Sequence, residues 1–393
     1  MELVEDTTRG AGSKTPTRWN AVLFAIKVQG LRAQRWGRDL EGSVRQWPSE
    51  RHSQDEWKLR YELRSPLWSD GDKRERPFEL GKVENLRRAC SCLNGIVIEA
   101  GGTFSFWRQI GRASGRRGFV VGRMLQQGCV VPAIGGGLCQ LSNALYGLAL
   151  KSGCEIVERH AHSIKMPDAP VHDATVAWNY IDLRFRVQEQ TRIKAWMSGE
   201  ELIVEWQTDG SSVFPSSGYA RLEQIVETRA AQKVQSCASC GVIDCFRHEA
   251  TRAAAECEER TAYLVDCDLP EFDDYIQRIR KPGDVLVSKD AARSHSAEHI
   301  AMKFEQALRS DMTHLCVSQD LLPWLWRMGA MGGRTFDVLM TSKLTRVAES
   351  VSDPWLVRDE EEALKFARRL IFPPELGAVT SIQTQAPTET IGT

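Results

Sequence analysis

Apolar positions along this chain fall into runs of two different periods. Trp19, Val22, Leu23 and Ile26 follow the i, i+3, i+4, i+7 spacing of an amphipathic helix, and a helical segment is expected over 18–55, with Gly30 as an interruption. Val83, Leu86, Ala89, Cys90 and Leu93 repeat that spacing, and Asn94-Gly95 marks its end. "GGTFSFW" at 101–107 reads as a turn into a short strand. Leu141, Leu145 and Leu148, with Ala144 and Ala149 beside them, place another helix from near Cys139. Beyond it the period changes to two. "CEIVERHAHSIKM" (154–166), "HDATVAWNYIDLRFRV" (172–187) and "LIVEWQT" (202–208) alternate as strands do.

"DGSSVFPSSG" at 209–218 is rich in Gly, Ser and Pro, and a linker is placed over 209–222. A cysteine-dense segment (223–260) follows. After it, the strand-like runs "TAYLVDC", "DVLVSKD" and "THLCVSQ" alternate with the helical runs "AEHIAMKFEQALRS" and "LLPWLWRMGAMGG", which implies an α/β layer over 261–375. The expected architecture is an α+β domain over 56–208, then the small Cys-rich segment, then the α/β C-terminal region. Residues 1–17 and 376–393 read as disordered.

Composition narrows the function classes. The chain has 393 residues, and its 51 basic and 52 acidic side chains nearly cancel, which excludes a whole-chain nucleic-acid binder. It carries 11 cysteines, an odd number that does not suit a disulfide scaffold. No run of 18 apolar residues suggests a membrane span, and the polar start lacks the pattern of a signal peptide. A reducing cytoplasm is the expected setting, so the thiols are read as free, metal-bound or catalytic. Lys27, Arg32, Arg35 and Arg38 make the first helix basic. It reads as packed on the domain with a solvated basic face, or as a peripheral membrane contact.

"GGGLCQLSN" at 135–143 is where chemistry concentrates. Gly135, Gly136 and Gly137 permit positive φ and remove Cβ atoms before Cys139, the first residue of the expected helix. First-turn N–H groups are unsatisfied there, and their dipole favours a thiolate. The Cys139 amide, with a donor from Gln140 or Ser142, would stabilise an oxyanion. His160 and His162 stand about twenty residues on and share one face if that run is a strand. One would be the base, with Asp173 or Asp182 orienting the ring. Cys90, Cys92, Cys129 and Cys154 lack such a setting and read as structural.

"GGTFSFW", "RGFVVG", "GGGLCQLSNALYGLAL", "IVERHAHS" and "DATVAWNYIDLRF" occur in that order, and together they resemble the VanW family over roughly residues 78–207. The resemblance implies a cysteine-dependent acyl transferase or amide hydrolase, with L,D-transpeptidase-like thioester chemistry on peptidoglycan-type peptides or precursors. It makes Cys139 the nucleophile and places the family's histidine and aspartate blocks on His160, His162 and Asp173. The alternative is a non-catalytic binding or scaffold protein whose cleft holds a wall precursor or a cell-envelope protein partner.

Cys237, Cys240, Cys245 and His248 form a second cluster, C-x2-C-x4-C-x2-H. Three thiolates and an imidazole suit tetrahedral zinc, and thiolates also suit an iron–sulfur cluster. Cys257 and Cys267 are substitutes for His248. No cofactor is needed at Cys139.

Overall fold

The computed structural model describes residues 17–41, 44–49, 57–68, 73–126, 129–162, 172–209, 235–237, 240, 245, 247, 258–266, 269–288, 296–342, 354–376 and 387–391. The chain divides into two compact units, one of residues 1–195 and 202–256, the other of residues 196–201 and 257–393. Both mix helices and strands.

The first unit opens on helix α1 (Arg18–Glu41), which runs through Gly30 without a break. Strand β1 (Lys58–Pro66) leads to α2 (Arg76–Leu93), longer at its start than the apolar pattern suggested because Pro77 pre-sets the first turn. Val83, Leu86, Ala89, Cys90 and Leu93 are all buried, and Asn94 caps the helix as the spacing predicts. Strands β2 (Ile96–Ile98) and β3 (Thr103–Ser105) follow. Where the sequence suggested only a strand, Ser105 caps a short helix α3 (Phe106–Ile110) by accepting from the Arg108 amide. Next come β4 (Val121–Gln126), β5 (Cys129–Ile134), helix α4 (Cys139–Lys151) and β6 (Glu155–Glu158). The unit closes with β7 (Arg184–Arg186), β8 (Thr191–Ser198), β9 (Glu201–Thr208) and β10 (Gln235–Ser236).

These strands make three small sheets, in the orders β1-β9-β8-β2, β3-β7-β6 and β10-β5-β4. The alternation in β8 buries Thr191, Ile193, Ala195 and Met197; this strand escaped the sequence reading because charged residues interleave its short apolar ones. Phe104 stacks on Phe185 at 4.7 Å and Phe185 meets Trp206 at 5.6 Å, so aromatic rings join two of the sheets.

Two expected strands are shorter than their patterns. β6 stops at Glu158, so His160 and His162 stand beyond it. Most of 172–183 is irregular, with one bridge between Ala177 and Ile181. Its polar groups serve side chains elsewhere: Asp182 accepts from Ser105 Oγ at 2.6 Å, from the Trp107 amide at 3.1 Å and from Arg184 Nε at 2.8 Å. The linker expected at 209–222 lies outside the described residues, apart from Asp209.

The second unit contains β11 (Arg260–Val265), α5 (Pro270–Ile279), β12 (Val285–Ser288), α6 (Ala297–Ala307), β13 (Met312–Ser318), α7 (Leu322–Arg327), β14 (Thr335–Leu339), α8 (Pro354–Leu364), β15 (Arg369–Phe372) and β16 (Thr388–Thr390). All strand pairs are parallel, in the order β12-β11-β13-β14-β15-β16. This is the α/β layer the alternation predicts, in a doubly wound order. The expected disordered tail is corrected at one place. Residues 388–390 pair with β15, and Ile391 is buried. Among the described residues no helix is long and apolar enough to cross a membrane.

Replacing Asp182 by Ala strands the buried Ser105 hydroxyl and the Trp107 amide and leaves the Arg184 guanidinium with Asp39 and Glu158 as its carboxylates. Denaturation followed by tryptophan fluorescence should show a loss of about 3–5 kcal/mol. A loss below about 1 kcal/mol would mean these groups find water instead.

Candidate functional site

Helix α4 begins at Cys139, and no side chain caps its first turn. Among the described residues no backbone carbonyl accepts from the Cys139 amide. The amides of Gln140, Leu141 and Ser142 donate to the carbonyls of Gly137 and Leu138, so the Cys139 amide is the one left open, on a residue that is itself half-buried.

The turn before it is shaped by packing. Gly135 and Gly137 have φ of 76° and 98°. A Cβ on Gly136 would lie 2.5 Å from the Gly122 carbonyl carbon, and one on Gly137 would lie 2.2 Å from the Lys82 side chain. On α2, a Cβ on Gly81 would meet the Val121 carbonyl oxygen at 1.8 Å. Glycines therefore let α2, β4 and the turn stack closely. Asn85, fully buried, fixes the layer: its amide nitrogen donates to Gly136 O at 2.9 Å and Val120 O at 3.0 Å, and its oxygen accepts from the Val120 amide at 2.8 Å.

The first turn of α4 grips the segment 173–176. Ser142 Oγ donates to Ala174 O at 2.6 Å, and the Ala174 amide donates to Asn143 Oδ1 at 2.7 Å. That segment holds the histidine run in turn. The Thr175 amide donates to His160 O at 2.8 Å, and the His162 amide donates to Asp173 Oδ2 at 2.7 Å. Asp173 Oδ1 also lies 2.5 Å from His162 Nδ1. Cys139 Sγ is 3.5 Å from Thr175 Oγ1 and 3.9 Å from Val176 O, and the His162 imidazole stands close enough to act on its charge.

Cys139, His162 and Asp173 are thus brought together, with Asp173 bonded to the His162 ring and that ring beside the thiol. Burial raises the Cys139 thiol, but the hydrogen bond and charge of His162 outweigh it and the net direction is down. Burial lowers His162, while Asp173 and Cys139 hold its proton, leaving it raised to about 10. Asp173 is lowered: burial opposes ionisation, and His162 overcomes it. The three groups shift one another in the same sense, Cys139 and Asp173 toward losing their protons and His162 toward keeping its own.

His160 is not part of this group. Its Nε2 lies 3.2 Å from Glu158, which Arg35 clamps through both nitrogens. Burial raises Glu158, but His160 and Arg35 bring it down to about 2. Asp182, considered as an orienting group, serves Ser105 and Arg184. Gln140 does not point at the sulfur; its amide donates to Ser65 Oγ at 3.0 Å and Pro66 O at 2.8 Å. Ser142 is buried and acts as the grip on Ala174. Asn143 and Thr175 escaped the sequence reading. Their signal was present, since Asn143 stands four residues after Cys139 on one helix face and Thr175 two after Asp173.

At the cysteine cluster, β10 runs parallel to β5 with Gln235 opposite Cys129, and the Cys237 amide donates to Val130 O at 3.0 Å. Burial first, then the charges of Cys129, Cys240 and Cys245, push the Cys237 thiol up to about 11. Cys129, read as merely structural, thus belongs to this neighbourhood. Among the described residues no group of three or more His, Cys, Asp or Glu is placed to hold a metal ion; His248, Cys257 and Cys267 lie outside them.

Comparison with known proteins bears on the first unit. The family model "VanW like protein" matches residues 81–207. The chain is 30% identical over 146 residues to the "Vancomycin B-type resistance protein VanW" of Enterococcus faecalis (strain ATCC 700802 / V583), covering 36% of this chain and 53% of that protein. It is 29% identical over 126 residues to the "Uncharacterized protein YoaR" of Bacillus subtilis (strain 168), covering 31% of this chain and 42% of that protein. The chain thus spans about half the length of the curated relatives it matches. No solved structure matches. The segment from α2 to β9, which holds Cys139, His162 and Asp173, is a VanW-like domain.

Proposed function

We propose that the VanW-like domain is a cysteine-dependent acyl transferase or amide hydrolase acting on peptidoglycan-type peptides or precursors. The observation that carries this reading is the Cys139–His162–Asp173 series at an uncapped helix N-terminus. Cys139 Sγ bonds to a peptide carbonyl carbon, and the oxyanion meets the Cys139 amide. His162 gives its proton to the departing amine as the C–N bond breaks, leaving a thioester. An incoming amine or water loses a proton to His162, attacks the same carbon, and the C–S bond breaks to return the thiolate. Asp173 keeps the ring oriented throughout. The substrate class rests on the likeness to a protein named for vancomycin resistance.

We also propose that the cysteine segment binds a structural zinc, with an iron–sulfur cluster as the alternative. Cys237, Cys240 and Cys245 would be thiolate ligands, with His248 as the fourth. The C-x2-C-x4-C-x2-H spacing is what supports it.

Iodoacetamide should alkylate Cys139 at a rate that stays high well below the free-thiol pKa of about 8.5. With His162→Ala, unopposed burial moves that limb above about 8.5, and the rate at pH 7 falls roughly 30-fold or more. His160→Ala should leave the profile in place. Incubation with a stem tetrapeptide should leave a hydroxylamine-sensitive acyl mass on Cys139, lost in Cys139→Ala. A normal pH limb in the parent protein, with no adduct and no turnover, would favour the scaffold reading. Elemental analysis of gently purified protein should show one zinc, or iron with a visible spectrum, per chain. His248→Ala should lose the metal; parent protein holding neither metal ends the proposal.

A further inference from the structure

Helix α1 is apolar on two opposite sides. At roughly 100° per residue, Val28 and Arg35 share one face. Both are buried, at 8% and 4% exposure. Arg35 grips Glu158, Arg32 Nε donates to Trp178 O at 2.8 Å, and Asp39 accepts from Arg184 at 2.7 Å. This side holds the helix to the segments that flank the histidine run.

The opposite side carries Trp19, Val22, Leu23 and Ile26, the residues whose spacing first suggested the helix. Packed on the domain they would be buried, yet they are 47–69% exposed, and Trp36 is 66% exposed. Gly30, Ala33 and Gly37 continue the stripe toward the C-terminus. Arg18 borders it on one side, Lys27 and Arg38 on the other. From Arg18 to Arg38 the helix has five Lys or Arg residues and no Asp or Glu. Only Arg35 among these five has a carboxylate partner among the described residues.

We propose that α1 is an interfacial helix whose Trp19–Leu23–Ile26 face enters an anionic lipid surface, with Arg18, Lys27 and Arg38 meeting the headgroups. Charge selects this occupant. A second copy would set the same unpaired cations against each other, whereas an anionic lipid surface neutralises them while the apolar stripe enters the acyl boundary. A tryptophan at the edge of such a stripe suits the interface, where its ring sits beside headgroups. Because the other face grips Glu158, membrane binding would hold the Cys139 site at the bilayer surface. The inference stands on α1 alone and does not require the proposed chemistry.

The full-length protein should sediment with vesicles of phosphatidylcholine containing phosphatidylglycerol, and far less with phosphatidylcholine alone. Added salt should weaken that binding. A Leu23→Glu/Ile26→Glu variant should lose binding at least about tenfold, since both apolar anchors are removed. Its circular dichroism and Cys139 alkylation should be unchanged, because both positions face solvent. Arg18→Glu/Lys27→Glu should abolish the preference for anionic vesicles. Failure of the parent protein to bind either vesicle, or equal binding by the Leu23/Ile26 variant, overturns the proposal. A concentration-dependent dimer that this variant abolishes would identify a second copy as the occupant and overturn it equally.

Discussion

One peptide unit ties the candidate site together. Ala174 is held at both ends by the first turn of α4, its carbonyl by Ser142 and its amide by Asn143. That grip fixes Asp173 and Thr175 on either side. Asp173 in turn fixes the backbone and ring of His162, and Thr175 fixes His160 and faces the sulfur. Cys139 and the segment that positions His162 are thus set by the same end of α4. A helix, a loop and an irregular stretch behave as one rigid constellation, which a site with little strand beneath it needs.

The electrostatics follow from that geometry. Cys139 alone in this partly buried position would be a poor thiolate. Its thiol is lowered because the imidazole beside it is itself held by a carboxylate, with bonds to Val176 O and Thr175 Oγ1 adding to the effect. His160, two residues away, is turned toward Glu158 and Arg35. The two histidines are therefore held differently: His162 stands beside the sulfur, and His160 meets the carboxylate that Arg35 of α1 clamps.

Much of this was legible in the sequence, and what was not has physical causes. The helix at Cys139, the buried face of α2 and the parallel strands of the second unit follow directly from apolar period. The sequence pointed to Cys139 but left His160 or His162 and Asp173 or Asp182 open; the bond between Asp173 and the His162 ring distinguishes them in the fold. The strand carrying both histidines was misread because "EIVERHAHS" alternates in polarity, yet beyond Glu158 its polar groups are taken by 173–175. Alternation records two environments, and a loop clamped between a helix and a second loop also has two. The glycines of "GGGLCQ" were assigned to access. Gly136 and Gly137 answer to Gly122 and Lys82, contacts with segments far away in sequence that no local pattern reveals. The apolar stripe of α1 was visible from spacing, but its exposure was not, because the same helix carries a second buried face.

The central claim is that Cys139 rests as a thiolate paired with protonated His162. The ultraviolet absorbance of the thiolate, taken as the difference between the protein and its Cys139→Ala variant across pH, tests it directly. The account predicts a step well below the ordinary thiol range, with His162 keeping its proton to about 10. A single step at or above about 8.5 would show an ordinary buried cysteine and contradict it.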